Sequence, residues 1–441
     1  MGPSDEDMHI RVFMLGWEFP PFISGGLGTA CYGLTKAMDE LGVKVTFVLP
    51  KMVQSEYATH VKLLTPGSWR RQVHRVRVRE KVTWRNVRFR PIRSTLQAYV
   101  TPDAYVEKIE RALGLRQEIE SQTGSRAQPR GGPDYSGDLY REIHRYASVA
   151  AELARDEDFD VIHAHDWMTY PAGIAVAEVT GKPLVVHVHS TEFDRSGEHV
   201  NQTIYDIERE GMERADKVVA VSHFTRSIVL SRYGIPAEKV EVVYNGVERN
   251  HAVPMANMSV RRDEKLVLFL GRITMQKGPE YFLQAAKKVL EVMENVKFVM
   301  AGSGDMLYRA VEMAAELGIG QKVLFTGFLR GDDVRRIYRM ADLYVMPSVS
   351  EPFGIAPLEA LDNDVPAIIS KQSGVSEVLR HVLKVDFWDV TEMANKIVAV
   401  LKYPPLQMTL RNHGNFEVRK LRWKDAARNC LKIYREMLVP V

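Results

Sequence analysis

Short runs of apolar, mostly β-branched residues recur along the whole chain, separated by segments with the periodicity of amphipathic helices. Runs that are apolar along their entire length are typical of central strands in a parallel sheet that helices cover on both faces. This rhythm of strand, turn and helix predicts an α/β chain with two doubly wound domains. The runs are residues 11–16, 44–50, 160–165, 183–190, 217–222 and 240–246 in the first half, and 265–271, 296–302, 322–327, 342–348 and 366–371 in the second.

The 441 residues are enough for two or three domains with separate cores. Residues 247–264 are polar, include a proline and lack periodicity, which favours a junction between domains there. We expect an N-terminal domain at 8–248, a second domain at 249–405, and helices at 406–441 that cross back to the first. Ligands bind at the carboxyl ends of strands in open α/β sheets, so this arrangement predicts a site in the cleft between the domains.

Charge and cysteine content exclude several classes of protein. Lysine and arginine number 59 against 56 for aspartate and glutamate, a balance that does not favour nucleic-acid binding. The two cysteines, Cys31 and Cys430, cannot build a disulfide framework or a cysteine-based zinc site. No apolar run reaches the roughly 18–20 residues of a spanning helix, and the acidic first residues differ from a secretory leader. We therefore expect a cytoplasmic protein without an integral membrane segment.

The segment FISGGLGTA, residues 22–30, connects the first predicted strand to its helix. Adjacent Gly25 and Gly26 allow backbone N–H groups to approach a ligand, and the start of the following helix favours anions. The segment lacks the GxGxxG spacing and the P-loop lysine, so it supports neither dinucleotide nor Walker-type binding. A tight turn that needs glycine explains it equally well.

The segment GRITMQKG, residues 271–278, places Arg272 and Lys277 on the loop after the first strand of the second half. A guanidinium and an ammonium group together could neutralise a diphosphate, and each charge-assisted hydrogen bond contributes roughly 1.5–3 kcal/mol. Two solvated surface cations are the competing interpretation.

The segment SEPFGIAPLEA, residues 350–360, follows another predicted strand, and Pro357 fits the first turn of a helix that begins near Ala356. The backbone N–H groups at the start of this helix would point toward a phosphate, and they belong to Gly354, Ile355 and Ala356. Glu351 and Glu359, eight positions apart, flank the helix start. A capping carboxylate and a solvated one are the structural alternative.

His163 and His165 end one predicted strand and face the same side, because their spacing is two. The run HVHS, residues 187–190, repeats the pattern on the next strand. Two histidine pairs suggest a metal site, but no carboxylate pattern such as HExxH accompanies them, so we predict no metal. A neutral histidine also donates hydrogen bonds to sugar hydroxyls, and a histidine with purely structural bonds is the alternative.

GRITMQKG followed by EPFGIAPLE resembles the donor-site motifs of retaining GT-B glycosyltransferases, and Glu351-x7-Glu359 resembles their two-glutamate motif. GGLG and HAHDW are most similar to glycogen and starch synthases and the sucrose synthase-like group. The resemblance covers about residues 9–440. It implies two Rossmann-like domains that face each other across a cleft, with a nucleotide-diphosphate sugar held mainly by the second.

The resemblance also implies a role for each matching residue. Arg272 and Lys277 would hold the diphosphate and stabilise its charge as the bond to the sugar breaks. Glu351 would contact the donor sugar near O3, His165 would bond it near O6, and Glu359 would accept hydrogen bonds from the ribose. Further donor contacts would come from Gly25, Gly26, Gly354, Ile355, Ala356 and Leu329.

The reaction so implied is a retaining transfer of glucose from ADP-glucose or UDP-glucose to an oligosaccharide or α-glucan acceptor, by front-face attack or through a covalent intermediate. The departing diphosphate gains negative charge, so positive groups fixed there stabilise the transition state and no divalent cation is required. Binding across a cleft predicts closure about a hinge near Asn245, Gly246 and residues 403–406.

Two features widen the range of acceptors. Ile23 stands where glycogen and starch synthases carry lysine, and residues 370–379 are more similar to the sucrose synthase-like group. A small sugar, a sugar phosphate or a lipid-linked acceptor is the alternative, and a nucleotide- or carbohydrate-binding protein without turnover is another.

Residues 62–93 hold eleven Lys or Arg and one acid, which predicts a hairpin or meander whose charged face meets solvent, lipid or a second copy.

Overall fold

The computed structural model describes residues 10–19, 26–49, 87–91, 135–248 and 264–439. Several expectations from the sequence fall outside these ranges. They concern Gly25, Ile23, most of the arginine-rich segment 62–93 and most of the linker 247–264.

The first half of the chain folds into a seven-stranded sheet in which every pair of neighbouring strands is parallel. The strand order is β3-β2-β1-β4-β5-β6-β7. Its strands are β1 (Arg11–Leu15), β2 (Lys44–Leu49), β3 (Val87–Pro91), β4 (Val161–His165), β5 (Leu184–Val188), β6 (Lys217–Ala220) and β7 (Val240–Val242). Its helices are α1 (Gly26–Glu40), α2 (Tyr135–Ala154), α3 (Tyr170–Thr180), α4 (Glu192–Ser196), α5 (Gln202–Arg214) and α6 (His223–Tyr233), with 3-10 turns at Trp167–Thr169 and Ala237–Lys239.

The second half forms a six-stranded parallel sheet of order β10-β9-β8-β11-β12-β13. Its strands are β8 (Lys265–Leu270), β9 (Val296–Ala301), β10 (Val323–Gly327), β11 (Leu343–Met346), β12 (Ala367–Ser370) and β13 (Leu383–Val385). The helices are α7 (Pro279–Leu290), α8 (Leu307–Glu316), α9 (Asp332–Met340), α10 (Ile355–Asp362), α11 (Val375–Val378), α12 (Val390–Lys402), α13 (Pro404–Val418) and α14 (Trp423–Leu438), with 3-10 turns at Met275–Lys277 and Gly320–Lys322.

The apolar runs of the sequence form the sheet interiors, which confirms the prediction of two doubly wound α/β domains. Every residue of β4, β5, β11 and β12 is buried, as expected for parallel strands covered on both faces. In α1, Leu27, Cys31, Leu34 and Met38 form the buried stripe that their spacing predicts.

The last two helices pack on different domains. In α13, Leu410 joins the core of the second domain. In α14, Trp423, Cys430 and Tyr434 join the core of the first domain. The chain therefore crosses between the domains at residues 419–422 and not at 403–406, because Pro404 and Pro405 occupy the first turn of a helix that stays on the second domain.

This crossing runs beside the other connection between the domains. The backbone N–H of Val247 donates to the carbonyl of Leu421 over 3.0 Å. At Gly246, an added Cβ would lie 2.3 Å from the backbone nitrogen of Trp423, so the two chain segments approach this closely only because residue 246 is glycine. Of the helices in the described ranges, none combines the length and apolarity that crossing a bilayer needs.

Candidate functional site

A cleft of about 300 Å³ lies between the two domains at the carboxyl ends of their strands. The second domain provides most of its wall, and the first domain contributes Gly26, Leu27, Thr29, His189, Ser190 and Asn245. The cleft brings together nine of the residues that the sequence singled out, namely Gly26, Arg272, Lys277, Leu329, Glu351, Gly354, Ile355, Ala356 and Glu359. His165 is not among the lining residues.

The loop after β8 carries both predicted cations. Arg272 donates from Nη2 to Oε1 of Gln276 over 2.9 Å, and Gln276 also lines the cleft. Two glycines let this loop meet the end of β9, because a Cβ on Gly302 would lie 1.8 Å from the carbonyl oxygen of Gly271. Gly302 has a φ of 147°, which other residues rarely adopt, so the loop requires a glycine here that no sequence motif indicated.

Lys277 forms an ion pair with Glu351 across the second-domain wall. Its Nζ lies 2.5 Å from Oε2 of Glu351, which also accepts from Oγ of Ser348 over 3.2 Å. Glu351 is buried, with 8% of its surface exposed. The wall therefore carries less net positive charge than Arg272 and Lys277 alone would give, and a bound diphosphate would compete with Glu351 for Lys277.

Helix α10 begins on the cleft wall, one residue before the predicted start. Gly354 is its N-cap residue with a φ of 107°, which favours glycine. The eight-residue helix has its positive end, with Ile355 and Ala356 in its first turn, at the cleft that both cations also line.

Glu359 lies inside the wall and is not a solvated face of α10. Burial raises the pKa of its carboxyl group from 4.5 to about 7, while a hydrogen bond from Tyr338 opposes the shift. The hydroxyl of Tyr338 lies 3.1 Å from Oε2 of Glu359 and 3.1 Å from the carbonyl oxygen of Ala356. After Gly302, Tyr338 is thus a second residue of this site that no sequence motif indicated.

The four predicted histidines form a two-by-two block at the carboxyl ends of β4 and β5. His163 bonds His187 through Nε2 and Nδ1 over 3.2 Å, and His165 bonds His189 through Nδ1 and Nε2 over 2.9 Å. The ring of His163 stacks on that of His165, and the ring of His187 on that of His189, with centroids 4.4 and 4.2 Å apart. Tyr434 of α14 contacts Nδ1 of His163.

All four rings are neutral because burial disfavours the imidazolium ion. It lowers the pKa of His163 and of His189 to about 3, and those of His165 and His187 well below 6.5. His165 is fully buried and does not line the cleft, and its contact with the sugar stays a prediction. His189, from the HVHS run, is the histidine that lines the cleft.

The block has the residue types of a metal centre, and ring nitrogens of His163, His165 and His187 lie within 4.8 Å of one another. A nitrogen lone pair lies in the plane of its ring, so a shared ion needs ring planes that meet at one point. The planes of His163 and His165 are stacked and inclined by only 17°. The arrangement therefore favours paired hydrogen bonds, and absence of a metal requirement stays a prediction.

Asp166 fixes the backbone next to the cleft-facing histidine. Its Oδ1 accepts from the N–H of His189 over 2.7 Å and from that of Ser190 over 3.3 Å. Asp166 has a φ of 60°, which is uncommon for a non-glycine residue and typical of functional sites. Burial raises the pKa of its carboxyl group to about 7, against the hydrogen bonds from His189 and Ser190.

Phe328 and Leu329, which follow β10, also line the cleft wall. The guanidinium of Arg330 lies 5.3 Å from the centroid of the Phe328 ring, and 46% of Phe328 is exposed. An accessible aromatic face with a cation beside it is suited to stacking with a planar group.

Two all-parallel sheets with a polar cleft between their carboxyl ends have the architecture of the GT-B glycosyltransferases. Residues 256–415 match the family model described as glycosyl transferases group 1, and residues 112–251 match the model of glycosyltransferase family 4. The chain belongs to the GT-B glycosyltransferase group 1 family, which confirms the broader part of the resemblance.

Two curated relatives illustrate the range of the family. An uncharacterized glycosyltransferase of Methanocaldococcus jannaschii is 28% identical over 97% of this chain and 98% of its own length. A D-inositol 3-phosphate glycosyltransferase of Catenulispora acidiphila is 27% identical over 66% of this chain and 75% of its own.

Solved structures share the fold at lower identity. Sucrose-phosphate synthase from Thermosynechococcus elongatus superposes with a TM-score of 0.72 at 18% identity, over 97% of this chain and 99% of that one. Anabaena HepE in complex with UDP-glucose superposes with a TM-score of 0.66 at 17% identity, over 97% and 100%. Both likenesses concern the architecture alone.

Proposed function

We propose that the protein transfers a glucosyl unit, with retention of configuration, from a nucleoside-diphosphate glucose bound in the cleft. One observation carries the proposal. Arg272, Lys277 and the start of α10 line the same cleft, so that three sources of positive potential belong to one wall. The HepE complex with UDP-glucose supports UDP-glucose as donor, and ADP-glucose is the other candidate.

Each group on the second-domain wall has a part in this proposal. Arg272 and the N-terminus of α10 bind the diphosphate, and Lys277 exchanges its bond with Glu351 for one with the terminal phosphate. Glu351, released from Lys277, accepts a hydrogen bond from the donor sugar. Glu359, supported by Tyr338, accepts from the ribose, and Phe328 and Leu329 flank the base.

The first-domain wall contacts the sugar in this proposal through His189. His165 acts behind it, because its bond to Nε2 of His189 fixes which ring nitrogen of His189 carries a proton. The negative charge that develops on the departing phosphate is stabilised by Arg272 and Lys277, so the transfer needs no metal ion. The acceptor hydroxyl loses its proton to the departing phosphate oxygen.

The acceptor has three candidates, namely an α-glucan, a small sugar or sugar phosphate, and a lipid-linked sugar. The resemblance to glycogen and starch synthases supports an α-glucan. The name of the Catenulispora relative supports a small phosphorylated acceptor instead, and Ile23, where glycogen and starch synthases carry lysine, argues against the glucan.

A matrix of donors and acceptors with EDTA present tests the proposal. ADP-, UDP- and GDP-glucose are each incubated with maltooligosaccharides, fructose 6-phosphate, inositol 3-phosphate, a polyprenyl-diphosphate sugar, or buffer alone. We expect transfer with UDP- or ADP-glucose that EDTA does not reduce. Transfer that requires an added divalent ion would contradict the metal-free mechanism, and nucleotide binding without transfer would support a binding protein.

A further inference from the structure

The loop that carries Glu351 is hydrogen-bonded on both sides to the opposite domain. Just before Glu351, Oγ of Ser350 donates to Oδ1 of Asp194 over 2.5 Å. After it, the carbonyl oxygen of Pro352 accepts from Oγ of Ser222 over 2.5 Å and from Oγ1 of Thr225 over 3.1 Å. Both lone pairs of this carbonyl are therefore occupied by hydroxyls of the first domain.

These contacts are built into the interior and are not chance surface encounters. Asp194, Ser222 and Thr225 are each at most 1% exposed. Asp194 is held by its other oxygen, which accepts from the backbone N–H and the hydroxyl of Thr191. Ser222 is fixed in turn as the cap of α6, where its Oγ accepts from the N–H of Thr225 over 2.9 Å.

The second domain holds the same loop from behind through residues 372–374. The N–H of Glu351 donates to the carbonyl of Gln372 over 3.0 Å, and the N–H of Gly374 donates to the carbonyl of Glu351 over 2.9 Å. A Cβ on Gly374 would lie 2.4 Å from Cβ of Ser222, so glycine permits the approach of the two domains here.

A third contact strengthens the same junction. The carboxylate of Glu377, on α11 of the second domain, accepts from the N–H groups of His223 and Phe224 over 3.0 and 2.6 Å. These groups are the first two of the eleven-residue helix α6, whose positive end favours a carboxylate. Glu377 also accepts from the hydroxyl of Tyr244 over 2.9 Å.

We infer that Asp194, Ser222 and Thr225 are positioning residues that hold Glu351 in its working place only while the two domains are closed. The inference rests on the function proposed above. Separation of the domains would remove both first-domain attachments of the loop at once and leave only its second-domain bonds, so closure completes the positioning of the carboxylate that contacts the sugar. A donor bound to an open second domain would then not react before the first domain arrives with the acceptor.

Thr225→Val combined with Ser350→Ala tests this inference. The two changes remove one hydroxyl on each side of Glu351 and leave the Ser222 cap of α6 in place. Ser227→Ala is the matched control, because Oγ of Ser227 donates within α6 to the carbonyl of His223 over 2.9 Å.

We expect the double variant to lower kcat at least tenfold, with the affinity for UDP or ADP within twofold of the wild type. In a Glu351→Gln background the same two changes should lower kcat less than twofold further, because they act through Glu351. A kcat within twofold of the Ser227→Ala control, or an effect that adds in full to Glu351→Gln, would overturn the inference.

Hydrogen exchange of the peptide that contains residues 350–353 gives a second readout that does not depend on turnover. We expect at least tenfold faster exchange in the double variant than in the wild type and the Ser227→Ala control. Equal exchange in all three would overturn the inference. A wild type that binds no nucleotide but shows the faster exchange in the variant would contradict the proposed function alone.

Discussion

The two walls of the cleft differ in the kind of polarity they present. The second-domain wall carries Arg272, Lys277, two carboxylates and a helix start. The first-domain wall presents neutral His189 with backbone and hydroxyl groups. Fixed charge stabilises a reaction most where charge develops, so this difference is what a leaving diphosphate on one side and an uncharged sugar on the other require.

The largest expected effect is the loss of a cation from the charged wall. Lys277→Ala should lower turnover by about 10²–10³ without unfolding the protein, because one fixed donor to the developing charge disappears. Arg272→Ala should act similarly. The measurement is kcat with the best donor, and Lys287→Ala on the exposed face of α7 is the control. Near-wild-type turnover would show that the wall does not stabilise the leaving group.

The histidine block, of which only His189 lines the cleft, should make the protein sensitive to acid. Burial depresses the pKa of His163 and His189 to about 3, so below about pH 6.5 the unfolded chain binds protons that the folded chain does not. The contribution of these histidines to the unfolding free energy is therefore fully present well above pH 6.5, and it is lost as the pH is lowered toward 3. Each such histidine costs about 2 kcal/mol of unfolding free energy between pH 7 and pH 5.

Urea unfolding at both pH values measures this dependence. His163→Gln should flatten it by the share of one histidine, and Ser227→Ala, which removes no titratable group, should leave it unchanged. An identical pH dependence in wild type and His163→Gln would contradict the neutral state of the block.

Glu359 should make nucleotide binding to the charged wall depend on pH, because its carboxyl group must lose a proton to become the better acceptor. Its raised pKa of about 7 means that the carboxylate form, the better acceptor for ribose hydroxyls, gains population as the pH rises from 6 to 8. The ratio of UDP affinities between wild type and Glu359→Gln should therefore increase about tenfold over this range. Calorimetry measures it, and a constant ratio would show that Glu359 does not bind the ribose as a carboxylate.

The smallest expected effect concerns the first-domain wall. His189→Asn should raise the KM for the sugar donor severalfold and leave the affinity for the free nucleotide unchanged, because in the proposed complex His189 contacts only the sugar. His165→Asn should show a weaker form of the same change. Loss of nucleotide affinity in either variant would place the histidines on the diphosphate and remove the distinction between the walls.

The second-domain wall could be predicted from sequence because each of its motifs directly follows a strand. Strand ends in a parallel sheet share one edge, so GRITMQKG and EPFGIAPLE meet without knowledge of the rest of the fold. The pairing of Lys277 with Glu351 could not be predicted, since it depends on side-chain positions from two separate loops.

The first-domain wall was harder because it depends on strand register. His165 pairs with His187 in the parallel ladder, so His189 projects two residues beyond the end of β4. Sequence spacing does not contain this offset, so it could not predict that His189 lines the cleft. The crossing at 419–422 was missed for a similar reason, because a double proline ends one helix and equally well begins the next.

Equilibrium binding of UDP and ADP to the wild type and to the Arg272→Ala/Lys277→Ala double variant tests the central claim most directly. The claim is that the second-domain wall holds the diphosphate of a sugar donor. We predict that at least one nucleotide binds the wild type and that the double variant, folded by circular dichroism, binds it at least 100-fold more weakly. Equal affinity in both proteins, or no binding of either nucleotide to the wild type, would contradict the account.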